Sequence, residues 1–515
     1  VTASSRPRAM MAAIAGIAAA IVGVGVGELA AALFAATSGP FTVVGGALID
    51  AAPTWAKDTA IAWFGTADKV ALLIGIGLVL VVAAAALGLC EARWRRSGVS
   101  TFVAIGAIVA AIAVTRSSDA GMPSWLPSLL AGATGALALH LLVGVLVGRP
   151  EADAAAHAEL PSRRRFLAWA GGTAALGIAL TIAGTVARAG TSAVTTVRDA
   201  LRLPKPSAPA PAPPAGAVLD VPGITPLITP NADFYRIDTA IVVPTVDPAS
   251  WRLRIHGMVA EEIELTWDEL LALPMTETTV TLSCVSNEVG GDLIGNAVWL
   301  GHPIRELLAR ARPTADADMV LSTSVDGFTA STPLEALTDD RDALLAIGMN
   351  GEPLPLAHGF PVRMVVPGLY GYVSATKWVT DLEVTRFDRD RAYWTDRGWS
   401  ERGPIKLQSR IDVPRAGRDV AAGDSVIAGV AWQPHTGVAA VEVQIDDGDW
   451  RRAELAPAIS DDTWVQWRMP WSAEPGDHRI RCRAVGADGE TQTEASAPPA
   501  PDGATGWHTV AINVR

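Results

Sequence analysis

The residues best equipped for chemistry lie between 281 and 378. The first is Cys284, in Thr281-Leu282-Ser283-Cys284-Val285-Ser286-Asn287-Glu288-Val289-Gly290-Gly291. A β-forming run, Thr278–Leu282, ends on the cysteine and a polar, Gly-containing loop follows, so one thiol is expected at a strand end where a loop can open onto a ligand. The chain has 3 cysteines; Cys90 and Cys482 lie in different settings, and no zinc-type Cys/His spacing surrounds Cys284. An arbitrary free cysteine usually packs as a small apolar side chain. Two readings therefore stand: an inert core thiol, or a single thiolate ligand or nucleophile.

The second group is a set of donors separated by turns: Met349-Asn350-Gly351-Glu352-Pro353-Leu354, His358-Gly359-Phe360-Pro361-Val362-Arg363, Val366-Pro367-Gly368-Leu369-Tyr370-Gly371 and Ser374-Ala375-Thr376-Lys377-Trp378. Glycines let backbone N–H groups approach an anion closely. Arg363 suits bidentate phosphate binding, and His358, Ser374, Thr376 and Lys377 add donors. A thiolate on one loop and a phosphate cradle on another point to one metal–organic cofactor with an anionic tail. His256 and His302 sit in Ile-His-Gly and Gly-His-Pro and read as turn chemistry. No G-x-G-x-x-G or P-loop occurs in this region, which argues against nicotinamide or nucleotide chemistry.

These residues must be positioned by an α+β region, expected over 219–400. Its strand-like runs are Ala240–Val243, Trp251–Ile255, Glu262–Leu265, Thr278–Leu282, Met319–Thr323, Val362–Val366 and Trp378–Val384. Helical patterns at Trp267–Ala272, Ile304–Arg310 and Pro333–Leu337 interrupt them without regular βαβ alternation. Residues 401–515 alternate over Asp424–Ala431, Ala439–Ile445, Thr463–Met469, His478–Val485 and Trp507–Val514, a pattern expected of an all-β immunoglobulin-like sandwich with Cys482 in its core. Residues 203–218, LPKPSAPAPAPPAGAV, read as a polyproline-type spacer.

Upstream the composition changes. Of the 515 residues 50% are hydrophobic and 18% charged, which calls for a membrane portion. Residues 1–190 hold five apolar runs, Met10–Leu33, Val70–Cys90, Gly98–Thr115, Leu126–Val147 and Phe166–Val186, each near the roughly 20 residues that span a bilayer. Arg6 and Arg8, then Arg93, Arg95 and Arg96, then Arg149 and Arg163–Arg165 flank alternate ends, while Lys57, Lys69 and Arg116 mark the poorer loops. The positive-inside rule then places everything after about residue 190 outside the cytoplasmic membrane. Ser162-Arg163-Arg164-Arg165-Phe166-Leu167 also matches a twin-arginine export pattern. Glu28 and His140 are ionisable groups within spans; a lone span histidine rules out an internal bis-histidine haem, and Glu28 is expected to hydrogen-bond a neighbouring helix. Up to Arg202 there are 15 Lys and Arg against 10 Asp and Glu, leaving 26 against 43 beyond it; the acidic second part argues against nucleic acid.

Asn231-Ala232-Asp233-Phe234-Tyr235-Arg236, the Cys284 stretch, the Met349–Leu354 and His358–Arg363 blocks and Ser374–Trp378 occur in one order, and that ordered set resembles the sulfite oxidase family of molybdenum enzymes, closest to its bacterial, membrane-associated branch. The resemblance covers about 225–515. It implies molybdenum carried by one pyranopterin (molybdopterin), with Cys284 as the protein thiolate on the metal. It also implies His358, Arg363, Ser374, Thr376 and Lys377 on the pterin and its phosphate, Asn231, Phe234, Tyr235 and Arg236 along its other side, and Asp326 near its amino groups. Cys284, Arg236 and Tyr235 are the implied catalytic set, and a dimerising last domain is implied as well.

Three departures bear on the substrate. Sulfite-oxidising members carry arginines soon after the cysteine, where this chain has Glu288 and Val289, and an Arg-x-His after the early aromatic pair, where Ile237-Asp238-Thr239 follows Arg236. The family's tyrosine after the Lys-Trp block has no clear counterpart, Tyr393 and Trp399 being the nearest aromatics. The expectation is oxygen-atom transfer to or from a small S- or N-containing substrate, with electrons exchanged with a quinone or cytochrome. The alternatives are a true sulfite oxidase and a membrane-tethered binding or scaffold protein that retains the fold.

Overall fold

A computed structural model describes residues 5–35, 38–51, 68–116, 123–147, 163–190, 193–240 and 242–515. Lys57, Arg149 and Ser162, used above for orientation and export, lie outside the described residues. The chain divides into two compact units, residues 1–195 with 240–243, and residues 196–239 with 244–515.

The first unit is helical: α1 (Ser5–Phe34), α2 (Pro40–Ala51), α3 (Asp68–Arg93), α4 (Ser97–Arg116), α5 (Leu126–Val147) and α6 (Arg163–Gly190). Five of these helices are long and apolar enough to cross a membrane, at Arg8–Phe34, Ile74–Arg93, Ser97–Thr115, Leu126–Leu146 and Arg163–Ala187. The composition gave no sign of α2, which is too short to span. Small residues let the backbones touch: a Cβ on Gly16 of α1 would stand 1.9 Å from the Ala84 carbonyl oxygen of α3. Leu78, Val79, Val82, Ile108, Leu137, Leu141 and Leu176 are exposed, as lipid-facing side chains would be. Two buried carboxylates cap helices. Glu28 accepts from the Phe41 amide at the start of α2 (3.0 Å), and Glu91 accepts from the Arg96 and Val99 amides at the start of α4 (3.0 and 3.1 Å). His140 is exposed on α5.

The second unit begins with α7 (Ala193–Ala200), most of which belongs to it, and two sheets follow. One has the order β2 (Ile263–Thr266), β1 (Arg252–Gly257), β10 (Val379–Thr385), β5 (Met319–Ser324), β6 (Thr329–Pro333), with β1 and β10 parallel. The other has the order β3 (Thr276–Ser283), β4 (Ile294–Pro303), β7 (Leu344–Met349), β8 (Glu352–Pro353), and β9 (Arg363–Val365) also pairs with β7. Helices Trp267–Ala272 and Ile304–Ala311 lie where the sequence places them. Ala240–Val243 forms no strand among its described residues, and Pro244, which has no amide donor, follows it.

Residues 401–515 form two further sheets: β11 (Gln408–Val413), β13 (Gly423–Trp432), β17 (Val465–Ala473) and β16 (Glu454–Leu455), and β12 (Asp419–Val420), β19 (His508–Val514), β18 (Gly476–Gly486), β14 (Val438–Ile445) and β15 (Arg451–Arg452). Their inner faces share one core in which Ile427, Trp467, Val441, Ile480 and Cys482 meet, so the pair is a β-sandwich. The Cys482 thiol takes a hydrogen bond from Ser409 (3.3 Å), and burial pushes its pKa up to about 12.

Beside its own core, the sandwich also contributes to the core of the α+β region. Val430, Trp432 and Trp464 of the sandwich belong to the same buried cluster as Trp251, Leu345 and Val366, because two large indoles project into the α+β region and complete its packing. The Pro/Ala-rich segment is extended, as its composition dictates, yet it does not hang free. Ser207 donates to the Met275 carbonyl (2.8 Å), Glu277 donates to Ala208 (2.8 Å), and Ala217 is buried. The segment pairs with the outer edge of β3 at its start, around Thr276 and Glu277.

Candidate active site

Every residue from Thr278 to Cys284 is buried, which holds the end of β3 rigidly inside the molecule. The β3–β4 ladder continues one step past the strand, with the Cys284 amide donating to Leu293 O at 2.9 Å. A closed loop follows: Asn287 donates to Cys284 O (3.1 Å), its side chain accepts from the Leu293 amide (2.9 Å), and Gly291 donates to Glu288 O (2.9 Å). Burial pushes the Cys284 thiol up, while the Ser286 amide and hydroxyl and the Lys377 ammonium pull it down. The thiol thus sits among donors that suit a thiolate. Glu288 is exposed.

Tyr235 closes on the same point. A Cβ on Gly371 would lie 3.8 Å from Ser283 O and 3.9 Å from the Tyr235 hydroxyl. Desolvation, then the Cys284 charge, holds that hydroxyl protonated well above the usual phenol range. Phe234 is the hub of the wall beside it, stacked on Tyr235 (5.2 Å between centroids) and edge-on to Trp299 (5.7 Å) and His358 (5.6 Å). Gly295 leaves the room for that ring, since a Cβ there would be 2.7 Å from it. Tyr370 adds a second phenol, pushed up to about 12 by burial, with Cys284 contributing.

The cations lie opposite. Arg363 is buried over the Trp299 ring (5.0 Å), and among the described residues its donors reach only main-chain carbonyls, of His358 and Met364 (3.3 Å each) and Ala375 (3.5 Å). Burial lowers its pKa to about 10. Lys377 pairs with Asp238 (2.9 Å), which Arg236 also contacts (2.9 Å). Burial brings Lys377 down to about 8 against the opposing pull of Asp238. His358 Nε2 faces the Asn231 carbonyl (3.3 Å) and so carries the hydrogen, which leaves Nδ1 as a buried acceptor with no partner among the described residues. Burial, then Arg363 and Lys377, lowers His358 to about 3, so the ring is neutral at ordinary pH.

The structure therefore brings Cys284, Tyr235, Phe234, His358, Arg363 and Lys377 together. Four expected cofactor contacts have side chains engaged elsewhere. Ser374 donates to Tyr370 O (2.9 Å), Thr376 bonds Ser322 (2.7 Å), Asn231 is held by Glu352 (2.6 Å) and Asn350 (2.8 Å), and Asp326 accepts from Phe328 N in its own turn (3.3 Å). These residues shape the walls. Arg236 is likewise tied to Asp238 and partly exposed. Trp299 and Asp238 are participants that sequence reasoning did not assign; for Asp238 the available signal was a carboxylate two positions after Arg236.

This donor set fits a pyranopterin with a phosphate tail. A buried guanidinium without a counter-ion requires an anion, and an orphan ring acceptor requires an N–H or O–H. Among the described residues no three His, Cys, Asp or Glu side chains converge on one point.

Residues 240–394 match the oxidoreductase molybdopterin binding domain family. The chain is 31% identical over 320 residues to mitochondrial sulfite oxidase of Rattus norvegicus, covering 53% of this chain and 58% of the relative. It is 31% identical over 173 residues to the uncharacterized oxidoreductase YuiH of Bacillus subtilis (strain 168), covering 34% of this chain and 84% of that protein. The solved sulfane dehydrogenase SoxCD from Paracoccus pantotrophus matches with a TM-score of 0.49 at 23% identity, over 57% of this chain and 84% of the other. With the buried thiol, the aromatic wall and the buried cation in one place, the family match and the two sequence relatives establish that the chain belongs to the sulfite oxidase family of molybdopterin-dependent oxidoreductases.

Proposed function

We propose that this chain is a membrane-anchored molybdenum oxidoreductase that moves an oxygen atom to or from a small S- or N-containing substrate. One observation carries the reading: a buried thiol among thiolate-stabilising donors beside a buried cation that lacks a counter-ion. When bound, the cofactor supplies the metal and the two-electron redox change of oxygen-atom transfer.

The rest falls to the chain. Cys284 ligates the metal through its sulfur. Arg363 and Lys377 hold the anionic tail, His358 Nδ1 accepts a hydrogen bond from the pterin, and the Phe234–Tyr235 pair packs on the ring system. Asn231, Asp326, Ser374 and Thr376 keep those groups in place. The Tyr235 hydroxyl remains protonated near the sulfur and donates to whatever oxygen approaches, and Arg236 steers from the rim.

The helical unit serves as a five-span anchor of the cytoplasmic membrane with the site on its outer side, the Arg163–Arg165 run acting in insertion or twin-arginine export. The sandwich is of the immunoglobulin type and supports a homodimer. A quinone or a cytochrome exchanges the electrons: its reduced form would supply two when an oxide is reduced, and its oxidised form would take two when a substrate is oxidised.

A second reading, sulfite oxidation, is favoured by the likeness to sulfite oxidases and by the positive balance of Arg236, Arg363 and Lys377 against Asp238. A turnover screen of cofactor-loaded enzyme with sulfite, methionine sulfoxide and small S- and N-oxides decides between them. The account expects turnover on a neutral oxide and little on sulfite. Turnover on sulfite alone overturns the first reading in favour of the second.

A further inference from the structure

The loop that carries Cys284 is held from a distance as well as by its own strand. Arg410, on β11 of the sandwich, is buried, and its planar head has three partners. Nε meets Asp412 (2.7 Å), Nη2 donates to Thr225 Oγ1 (2.8 Å), and Nη1 donates to the Gly291 carbonyl (2.7 Å). Next to it, His508 opens β19. Its Nδ1 accepts from the Ile411 amide (2.9 Å); an amide only donates, so the ring hydrogen lies on Nε2. The ring lies flush on Gly290, where a Cβ would stand 2.2 Å from Cδ2 and 2.3 Å from Nε2, and Gly290 is itself at φ +79°. On the other side of the cysteine, Thr281 of β3 donates to Asp462 O (3.0 Å) and accepts from the Trp464 amide (2.8 Å). Cys284 is thus bracketed by two attachments to the sandwich.

We propose that Arg410 and His508 are positioning residues for the Cys284 sulfur: the sandwich fixes the main chain of the loop and so the direction in which the thiolate meets the cofactor. This rests on the reading of Cys284 as the metal ligand. Outer supports of this kind tune a ligand without touching the metal. Lysine at 410 would keep the charge but could not bridge three acceptors in one plane.

The test uses the full chain, with and without cofactor, in Arg410→Lys, Gly290→Ala and Gly290→Ala/His508→Ala. Ile480→Val in the sandwich core serves as a control for general loosening. Four quantities are read: molybdenum content, the thiolate-to-metal absorption band with the Mo(V) electron paramagnetic resonance signal, the alkylation rate of Cys284 in cofactor-free protein by peptide mass spectrometry, and kcat against KM. Arg410→Lys is expected to keep its molybdenum, to shift the band and the resonance, and to lower kcat about 10-fold with KM nearly unchanged. Alkylation of Cys284 should quicken several-fold. Gly290→Ala should do the same, with partial return when His508→Ala removes the collision, and this loop variant carries the test if Arg410→Lys does not fold. Unchanged spectra and alkylation in the folded variants, or equal changes in Ile480→Val, overturn the proposal. Loss of none of the metal–sulfur coordination in Cys284→Ser would instead overturn the ligand reading on which it rests.

Discussion

Two sets of buried polar groups, one in each unit, are treated in opposite ways. In the helical unit, Glu28 and Glu91 both meet the amides of a helix N-terminus, where a carboxylate and the helix dipole stabilise one another. In the second unit, among the described residues, Arg363 reaches only main-chain carbonyls and His358 Nδ1 has no hydrogen-bond partner. The contrast separates structural from functional burial. A charge buried for the fold finds its partner within the fold, whereas a charge proposed to hold a ligand needs a partner of opposite sign from the ligand itself.

The largest expected effect comes from removing the Arg363 charge. Arg363→Met should reduce cofactor retention at least about 100-fold while raising the melting temperature of the cofactor-free chain, because an apolar side chain of similar length replaces an uncompensated buried cation. Calorimetry with metal analysis checks both; a cofactor-free chain that melts lower would remove the contrast.

His358→Gln probes the same wall through pH. The folded pKa of about 3 lies below the ordinary value of about 6.5, so the unfolded chain binds the extra proton between those limits. His358 therefore costs nothing at neutral pH, and stability falls as pH drops from about 6.5 towards 3, by an amount on the order of a few kcal/mol. The glutamine variant should show a shallower acid limb in denaturant titrations. His508, lowered to about 4, keeps part of the slope with the same sign. An identical acid limb would contradict the assignment.

The smallest effect belongs to the other unit. Glu91→Gln should lower the unfolding temperature in detergent by an amount equivalent to about 1 kcal/mol, with cofactor content and turnover unchanged. A loss of turnover would give the carboxylate a functional role.

How far the sequence foretold this follows physical lines. Cys284 and the donors around His358, Arg363 and Lys377 are legible because glycine and proline punctuate the chain on either side of them. The five long helices are legible because length and apolarity suffice. Strands β4 and β7 are not, since both faces are buried and no alternation marks them. The internal partners of the candidate donors are not legible either: nothing local records that Ser374 donates to Tyr370 O or that Thr376 bonds Ser322. The same holds for Asp238, which a neighbour-by-neighbour reading treats as a repulsive charge and the fold uses to hold Lys377. Arg410 and His508 reach the Cys284 loop from more than a hundred positions away, which no local pattern records. The Pro/Ala-rich segment shows the limit of composition, which gives an extended conformation but not the β3 edge on which it lies.

The central claim is that Cys284 is the protein ligand of molybdenum. X-ray absorption at the molybdenum edge, on wild type and Cys284→Ser loaded under the same conditions, tests it most directly. The account predicts that the variant loses one sulfur scatterer from the metal's coordination shell. An unchanged sulfur count would contradict it.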